Sequence, residues 1–264
     1  MIKRIPVLAM SVALAAAPAF AQNTAFRLDP VLDGVLLGSA VCLNGAVFYL
    51  DEAAELDRDD FGGTVLDASG VNGFDRLLMN PYSGVLERAG TGLSVASILI
   101  PAVLIMAPGE ERMTIGAMYA ETVLMAYGLK ELGKLCVNRP RPYVYFDGYP
   151  QDDVDVGDWN DSFPSGHTTL AFAGATFASY VFCGYFPDSA MKLPVIASSY
   201  ALAVGTAACR IAGGSHFLTD VLAGAAIGSA VGFLVPWLHT LGSEDGNGLS
   251  VQAAPTGVLV SIRF

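Results

Sequence analysis

Three groups of residues between Lys134 and Asp220 have side chains suited to binding and transferring phosphate. The groups are Lys134-Leu-Cys-Val-Asn-Arg-Pro-Arg141-Pro142, Pro164-Ser165-Gly166-His167 and Arg210-Ile-Ala-Gly-Gly-Ser-His216-Phe-Leu-Thr-Asp220. Cations, histidines and a carboxylate stand here within a largely apolar stretch. Because an unpaired buried charge is unfavourable, these cations indicate an anionic ligand, and phosphate matches them best.

The third group places a histidine and a carboxylate where they can act as a pair. His216 and Asp220 are four residues apart, which on a helix puts both side chains on one face and within reach of each other. A carboxylate bonded to one ring nitrogen fixes the tautomer and leaves the other nitrogen as a nucleophile. Arg210 precedes a Gly213-Gly214 turn that can fold it over the same pocket. Taken alone, the pair is equally compatible with a structural contact.

The second group marks the start of a helix, because Pro164 and Ser165 directly precede an apolar run. Backbone amides at a helix start point outward and the helix dipole favours an anion, while Gly166 lets the backbone come close to a ligand. His167 lies on the first turn, can reach the same anion and titrates near neutral pH. The second group therefore predicts an anion site at the start of this helix.

The first group ends a helix. Pro140 and Pro142 prevent the helix that carries Lys134 from continuing, so the backbone becomes extended and can return Arg141 to the side of Lys134. Arginine offers a planar fork for two phosphate oxygens, and lysine offers a movable charge. Alone, this pattern also fits basic residues that reach from a helix end to lipid headgroups.

Six apolar segments carry or flank these groups. They are Val31–Leu50, Gly92–Ala107, Met113–Leu132, Thr168–Phe186, Leu193–Cys209 and Leu218–His239. Several approach the ~20 residues needed to cross a bilayer, with the fourth and sixth the cleanest. They lack the polar stripe of a soluble helix, and small residues such as Gly224 and Gly228 allow close helix packing. The sequence therefore predicts an all-α, multi-pass transmembrane bundle of about six helices, with a soluble helical core as the alternative.

Composition and the two ends of the chain set the domain organisation. Of the 264 residues, 53% are hydrophobic and 15% charged, and the net charge of −11 argues against a nucleic-acid partner. Residues 1–21 have the charged start, apolar middle and small-residue cleavage site of a secretory signal, with an uncleaved first helix as the alternative. We expect a helical membrane domain over residues 22–242 and a tail over residues 243–264. The four cysteines lie in or beside apolar segments and are predicted to be buried thiols.

The three groups resemble the signature of the type 2 phosphatidic acid phosphatase superfamily. That signature is Lys-x6-Arg-Pro, then Pro-Ser-Gly-His, then Ser-Arg-x5-His-x3-Asp. The match runs over residues 134–220, and the six-segment layout resembles the membrane-embedded lipid phosphatase branch. Cys209 departs from the signature, which has serine before the arginine. This position lies at the rim of the motif, so we expect altered fine contacts rather than altered chemistry.

The resemblance implies a role for each residue. His216 would attack phosphorus to form a phosphohistidine, Asp220 would hold and polarise it, and His167 would protonate the leaving oxygen and later activate water. The phosphate oxygens would be held by Lys134, Arg141, Ser165, Gly166 and Arg210. No metal or other cofactor is implied, because three cations already neutralise the phosphoryl group.

The resemblance also implies hydrolysis of a lipid phosphate or pyrophosphate by a bacterial inner-membrane enzyme, with membrane lipid and the lipid phosphate as its partners. Alternatives with the same pocket are a soluble periplasmic acid phosphatase, a vanadate-dependent haloperoxidase, a lipid phosphotransferase and an anionic-lipid-binding protein without turnover. Orientation stays open. If residue 22 is exported and all six segments cross, the loops 133–167 and 210–217 face the cytoplasm, whereas the resemblance implies a periplasmic site. The sequence does not indicate the oligomeric state or the lipid headgroup.

Overall fold

Helices account for most of the described chain. The computed structural model describes residues 25–55, 64–240, 249–254 and 257–262, so the predicted signal at residues 1–21 lies outside it. The α-helices are α1 (Pro30–Glu55), α2 (Gly73–Arg76), α3 (Gly84–Leu99), α4 (Glu111–Val137), α5 (Gln151–Asp155), α6 (Gly166–Tyr185), α7 (Lys192–Ala212) and α8 (Leu218–Leu238). Short 3-10 helices cover Ala68–Gly70, Ile100–Met106, Pro142–Tyr145 and Asp158–Asn160. In the predicted tail, strands β1 (Leu249–Ala254) and β2 (Gly257–Ile262) form an antiparallel hairpin.

The helix α6 is the centre of the bundle. The helices α3, α4, α7 and α8 pack around it, and most of its residues are buried. The hydroxyls of Thr169 and Ser179 donate to main-chain carbonyl oxygens four residues earlier, at 2.9 and 2.7 Å. These two buried hydroxyls are therefore satisfied by the backbone of their own helix.

A row of three glycines lets α8 lie directly on the backbone of α6. Gly224, Gly228 and Gly232 recur every four residues along one face of α8. A Cβ added at any of them would lie 2.1–2.7 Å from a carbonyl oxygen of α6 or of Ser165, directly before it. The prediction that small residues permit close helix packing is confirmed here, and the two helices that begin at the predicted phosphate site are held at a fixed separation.

Within the described residues, four helical stretches are long and apolar enough to cross a membrane. They are Pro30–Glu52, Gly84–Met106, Lys192–Ala212 and Leu218–Leu238. Many large apolar side chains on them face outward, and Phe48, Leu99 and Leu193 are 72%, 63% and 73% exposed. An outer surface of this kind suits lipid contact. The predicted class, a multi-pass helical membrane bundle, is confirmed.

The predicted segments within α4 and α6 are not among these four stretches, so the count of six stays a prediction. The helix α4 carries too many charged residues, including Glu121, Lys130 and Glu131. The helix α6, expected to be one of the cleanest spans, opens on a histidine and two threonines and is enclosed by protein. The second predicted segment also begins earlier than expected, at Gly84 rather than Gly92, because the polar first turns of α3 face other protein groups.

The prediction of four buried thiols is wrong for two of them. Cys42 and Cys136 are exposed, Cys183 and Cys209 are partly buried, and all four are free thiols. An apolar sequence neighbourhood indicates burial only in a soluble protein. In a membrane bundle the same neighbourhood also lines the outer surface.

The connection between α4 and α6 forms a small core of its own. Tyr143 and Val144 are almost fully buried in it and pack with other aromatic residues of the same loop. The N–H of Arg141 donates to the carbonyl of Trp159 at 2.7 Å, and the N–H of Tyr143 donates to the carbonyl of Gly214 at 3.0 Å. These bonds hold the loop against the turn between α7 and α8 and thereby position Arg141.

Candidate active site

The predicted phosphate-binding residues lie at one end of the bundle, where α6 and α8 begin and α4 and α7 end. The turn between α7 and α8 folds back on itself, since the N–H groups of Ser215 and His216 donate to the carbonyl oxygen of Arg210 at 3.2 and 3.1 Å. Gly214 has a φ of +73°, and a Cβ there would lie 2.5 Å from the carbonyl oxygen of Asn80. Glycine is required at this position, and the turn it allows places His216 beside Arg210.

His216 is 2% exposed and has a defined tautomer. Its Nδ1 lies 2.7 Å from the carbonyl oxygen of Ser162, an acceptor, so Nδ1 carries the proton. Arg141 Nη1 donates to the other ring nitrogen, Nε2, at 3.2 Å. Burial, together with the charges of Arg141 and Arg210, holds the pKa of His216 well below 6.5. The Nε2 atom is therefore an unprotonated nitrogen that faces a cation.

Asp220 does not make the direct bond to His216 that the spacing predicted. Its Oδ2 lies 3.9 Å from His216 Nδ1. It accepts instead from Ser162 Oγ at 2.6 Å and from the N–H of Phe217 at 2.8 Å. Asp220 therefore orients His216 indirectly. Its carboxylate fixes Ser162, and the Ser162 carbonyl orients the imidazole. The Ser162 carbonyl, rather than the Asp220 carboxylate that the spacing predicted, accepts the hydrogen bond from His216 Nδ1.

His167 lies on the first turn of α6, ahead of the apolar run. Its Nε2 is 3.4 Å from Thr91 Oγ1, and its carbonyl accepts from Ser94 Oγ at 3.2 Å. Burial, followed by the charge of Arg210, lowers the pKa of His167 to about 4. The ring is therefore neutral at physiological pH, and the cations around it favour this neutral form.

Both predicted arginines are buried, and each is held by a carboxylate. Arg141 donates through Nη2 to Asp158 Oδ1 at 2.6 Å and through Nε to the carbonyl of the same residue at 2.7 Å. Arg210 donates through Nη1 to Glu87, whose other oxygen accepts from Ser215 Oγ at 2.5 Å. Within the described part of the chain, Arg210 Nε has no hydrogen-bond partner. The pairs keep the arginines in place and leave a donor for an anion.

Two of the other predicted phosphate ligands are engaged elsewhere. Lys134 Nζ faces Glu131 at 3.6 Å, and Ser165 Oγ is bonded to Thr168 Oγ1 at 2.9 Å. The lysine that lies against Gly166 is Lys130, since a Cβ at Gly166 would be 2.9 Å from its Cδ and 3.5 Å from its Nζ.

The arrangement can be compared with known proteins. Residues 115–242 match the family model of the PAP2 superfamily. We refer to this matched region as the PAP2 domain. It runs from within α4 to just beyond α8, and all eight predicted site residues lie inside it.

Two relatives are similar in sequence to part of this chain. A PA-phosphatase related-family protein of Dictyostelium discoideum is 27% identical over 131 residues, which cover 47% of this chain and 48% of that protein. The lipid A 1-phosphatase of Porphyromonas gingivalis is 35% identical over 92 residues, which cover 35% of this chain and 19% of that protein. The chain thus spans about half the length of the first relative and about a fifth of the second.

Two solved structures are also similar. One is described as the first transmembrane PAP2 type phosphatidylglycerolphosphate phosphatase from Bacillus subtilis, with 22% identity, 81% of this chain and 98% of that chain covered, and a TM-score of 0.46. The other is LpxE of Aquifex aeolicus, with 24% identity, 61% and 90% covered, and a TM-score of 0.41.

Sequence reasoning missed a third arginine of the PAP2 domain, Arg139. Its Nη1 donates to Asp220 Oδ1 at 2.5 Å, its Nη2 donates to Asp75 Oδ2 at 2.7 Å, and its guanidinium lies 4.1 Å from the Phe217 ring centroid. Asp75, which is fully buried, also accepts from the N–H of Thr219 at 2.9 Å. Burial alone would raise the pKa of Asp75, but hydrogen bonds from Arg139 and Thr219 lower it below its ordinary value. A buried ionic network therefore underlies Asp220.

Some of these residues had a signal in the sequence and others had none. Lys130 precedes Lys134 by four residues on the same helix, so the pair shares a face. Arg139 stands within the first group itself. Asp75 and Glu87 come from the segment before the PAP2 domain and reach the site only through tertiary folding, so no local pattern marks them.

Proposed function

We propose that this chain is a phosphatase that hydrolyses a lipid phosphate or pyrophosphate without a metal, through a phosphohistidine at His216. The observation that carries the proposal is His216 Nε2, which is buried, unprotonated and 3.2 Å from Arg141 Nη1. An unprotonated nitrogen beside cations combines a nucleophile with stabilisation of developing negative charge. The PAP2 domain and the relative named as a lipid A 1-phosphatase support a lipid phosphate as the substrate class.

In the first half of the reaction, the Nε2 lone pair attacks phosphorus and the bond from phosphorus to the lipid oxygen breaks. The leaving oxygen takes a proton from His167, which acts as the general acid. Because the pKa of His167 is about 4 in the unliganded site, the proton must arrive with the phosphate monoanion or be retained once the anion binds. An anion beside the ring favours its charged form, so substrate binding itself prepares the acid.

In the second half, His167 accepts a proton from a water molecule, whose oxygen attacks phosphorus while the bond to His216 Nε2 breaks. Throughout, His216 Nδ1 keeps its proton and donates it in a hydrogen bond to the Ser162 carbonyl, and Asp220 at 3.9 Å stabilises the positive ring of the intermediate. The phosphate oxygens would be held by the backbone amide of Gly166 and by Lys134, Arg141, Ser165 and Arg210. For this, Lys134 would turn from Glu131, and Ser165 would turn from Thr168. Lys130, which lies against Gly166, would join them.

The outer surface supports the membrane-embedded alternative over a soluble acid phosphatase. Large apolar side chains such as Phe48 and Leu193 are exposed on helices long enough to cross a bilayer. We place the phosphatase domain at residues 22–242, and the tail at residues 243–264 outside it. The substrate would meet the site from the bilayer surface, with its acyl chains in lipid.

The test is phosphate release by detergent-purified protein from phosphatidate, phosphatidylglycerophosphate, a polyprenyl pyrophosphate and lipid A. His216→Ala should lower the rate by about 10³-fold or more on every substrate that the wild type hydrolyses. Cys209→Ser, which restores the serine of the family signature, is the matched control and should change the rate little. Full activity of His216→Ala would refute the phosphohistidine. Added alcohols that capture the phosphoryl group would identify a phosphotransferase.

For localisation we infer an inner-membrane protein whose site faces the periplasm. Asp33 in the first turn of α1 contacts His239, which follows the last turn of α8. Asp220 of the site lies in the first turn of α8, so α1 begins at the end of the bundle opposite the site. If α1 crosses the membrane, residue 22 and the site lie on opposite sides of it. A periplasmic site then requires a cytoplasmic residue 22, and an exported residue 22 requires a cytoplasmic site. Thiol labelling of Val156→Cys, which is 76% exposed in the loop near the site, decides between them in intact cells that lack the four native cysteines. Protection from an impermeant reagent would place the site in the cytoplasm.

A further inference from the structure

The end of the bundle remote from the phosphate site holds a second cluster of ionisable side chains. Asp33 in the first turn of α1, Glu121 within α4 and His239 after the last turn of α8 each direct one ligand atom to a common point, all within 4.8 Å of one another. The cluster is far from Asp220, because the 21 residues of α8 that separate the two ends span about 30 Å. It therefore forms a site of its own.

His239 is oriented as metal-binding histidines are. It is 2% exposed, and its Nδ1 donates to the carbonyl of Val235 at 2.8 Å. The neutral ring then has its lone pair on Nε2, which lies 2.9 Å from Asp33 Oδ1 and 3.4 Å from Glu121 Oε2. A main-chain carbonyl that accepts from the second ring nitrogen fixes the tautomer and directs the free nitrogen at the metal.

Glu121 supplies an independent indication of a ligand. Its side chain is 1% exposed, and neither of its carboxylate oxygens has a hydrogen-bond partner among the residues that the structure describes. A buried carboxylate is strongly unfavourable unless a cation or donors compensate it. Two carboxylates and an imidazole lone pair that face one another require positive charge between them.

The donor types, together with the two separations from His239 Nε2, favour one kind of cation. Ligand atoms around a tetrahedral zinc ion with bonds of about 2.0–2.1 Å lie about 3.3 Å apart. The two separations from His239 Nε2, 2.9 and 3.4 Å, are close to this value. One nitrogen and two carboxylate oxygens form a donor set that zinc accepts, whereas calcium takes six to eight oxygen ligands.

We propose that Asp33, Glu121 and His239 bind one divalent transition-metal ion, with zinc the best match. The ion would join α1, α4 and α8 at the end of the bundle away from the phosphate site. Its role is to stabilise the bundle, and the proposal does not depend on the phosphatase activity.

The experiment uses full-length protein in detergent, purified through an affinity tag without histidines, stripped with a chelator and then dialysed against zinc. Metal analysis should find about one zinc per wild-type chain, and the melting temperature should rise by roughly 5–10 °C when free zinc is about 100 times its Kd. Glu121→Gln, which keeps the shape of the side chain, should lose both the zinc and the shift. Glu110→Gln removes an exposed carboxylate at the start of the same helix and should retain both.

A wild-type protein that retains no more zinc than Glu121→Gln and melts at the same temperature with and without zinc would overturn the proposal. The cluster would then be held together by a shared proton. If Glu121→Gln does not fold, cobalt(II) added to the stripped wild type provides the second measurement. The absorption of a low-coordinate nitrogen and oxygen site supports the proposal, and the spectrum of free cobalt contradicts it.

Discussion

The two ends of the bundle compensate buried charge in opposite ways. At the phosphate end each buried arginine is held by a carboxylate, as in the pairs Arg141–Asp158 and Arg210–Glu87, and donors remain for a ligand. At the remote end two carboxylates face one imidazole, and Glu121 has no hydrogen-bond partner within the described residues. The first arrangement suits an anion and the second suits a cation. The two ends therefore differ in the sign of the charge that their own ion pairs leave uncompensated, which is positive at the phosphate end and negative at the remote end.

After His216→Ala, the largest effect at the phosphate end is expected from His167→Ala. Loss of the general acid should lower kcat by about 10²–10⁴-fold on a lipid phosphate. An aryl phosphate with an acidic leaving group needs no proton at its leaving oxygen, so it should lose much less. Steady-state kinetics on the two substrates gives the comparison. Equal losses on both would contradict the assignment of His167 as the acid.

Arg210→Met tests whether Arg210 binds the phosphoryl group or serves only as the structural partner of Glu87. It should lower kcat/KM by about 10²–10³-fold, because a donor for the transition state is lost. It should also lower the free energy of unfolding by about 2 kcal/mol, since Glu87 is left without its cation but remains partly exposed. The double variant Arg210→Met/Glu87→Met should recover stability without activity, as measured by thermal melting and phosphate release. Recovery of activity as well would show that Arg210 is only structural.

Arg139→Gln breaks the network beneath Asp220 without touching the phosphate pocket. We expect kcat to fall by roughly 10–100-fold, because the groups that orient His216 are no longer fixed. The inhibition constant for orthovanadate should change much less. Arg139→Lys should recover part of the loss, while Arg88→Gln, an exposed arginine on α3, should have little effect. A similar change in kcat and in vanadate inhibition would instead indicate that Arg139 binds the anion.

The pH profile reports the burial of His216 and the positive charge around it, which both lower its pKa. The ring must be unprotonated to attack, and its pKa lies well below 6.5, so the active form should persist as the pH falls. A histidine with a pKa of 6.5 would lose about 25-fold of its unprotonated form between pH 7 and pH 5. We expect kcat/KM, corrected for substrate ionisation, to change far less over that range. Arg141→Gln should move the acid limb upward, and a wild-type limb near pH 6.5 would contradict the proposed electrostatics.

The smallest effect is expected from a chelator. If the remote end binds zinc and the phosphate end needs no metal, chelation should lower the melting temperature while kcat of the folded enzyme changes less than about twofold. Both quantities can be measured on one preparation. A loss of activity that precedes unfolding would mean that the two ends are not independent.

The sequence predicted the helices well because apolar length and proline positions act locally. The helix α4 ends at Val137, ahead of Pro140, and α8 begins at Leu218 as its apolar run indicated. The turn at Gly213 and Gly214 folds back as expected, because Gly214 adopts a conformation that other residues disfavour. Motif spacing also identified Arg141, whose guanidinium contacts the His216 ring, and Arg210, whose carbonyl accepts from the His216 N–H.

Contacts between distant segments could not be predicted in this way. The bond from His216 to the Ser162 carbonyl and the pairs of Arg210 with Glu87 and of Arg139 with Asp75 depend on how loops meet in space. A main-chain carbonyl also competes with a carboxylate for the same ring nitrogen, and residue spacing carries no information about which one is closer.

The geometry of the site depends on glycines of α8 that lie deep in the bilayer. Gly228 lies about 12 Å along the helix from Asp220, yet a methyl group there would meet the Thr169 carbonyl oxygen at 2.1 Å. Any larger residue must push apart the two helices whose first turns carry His167 and Asp220. Substitutions deep in the hydrocarbon layer should therefore impair turnover much as substitutions in the pocket do, although nothing at that depth touches a phosphate.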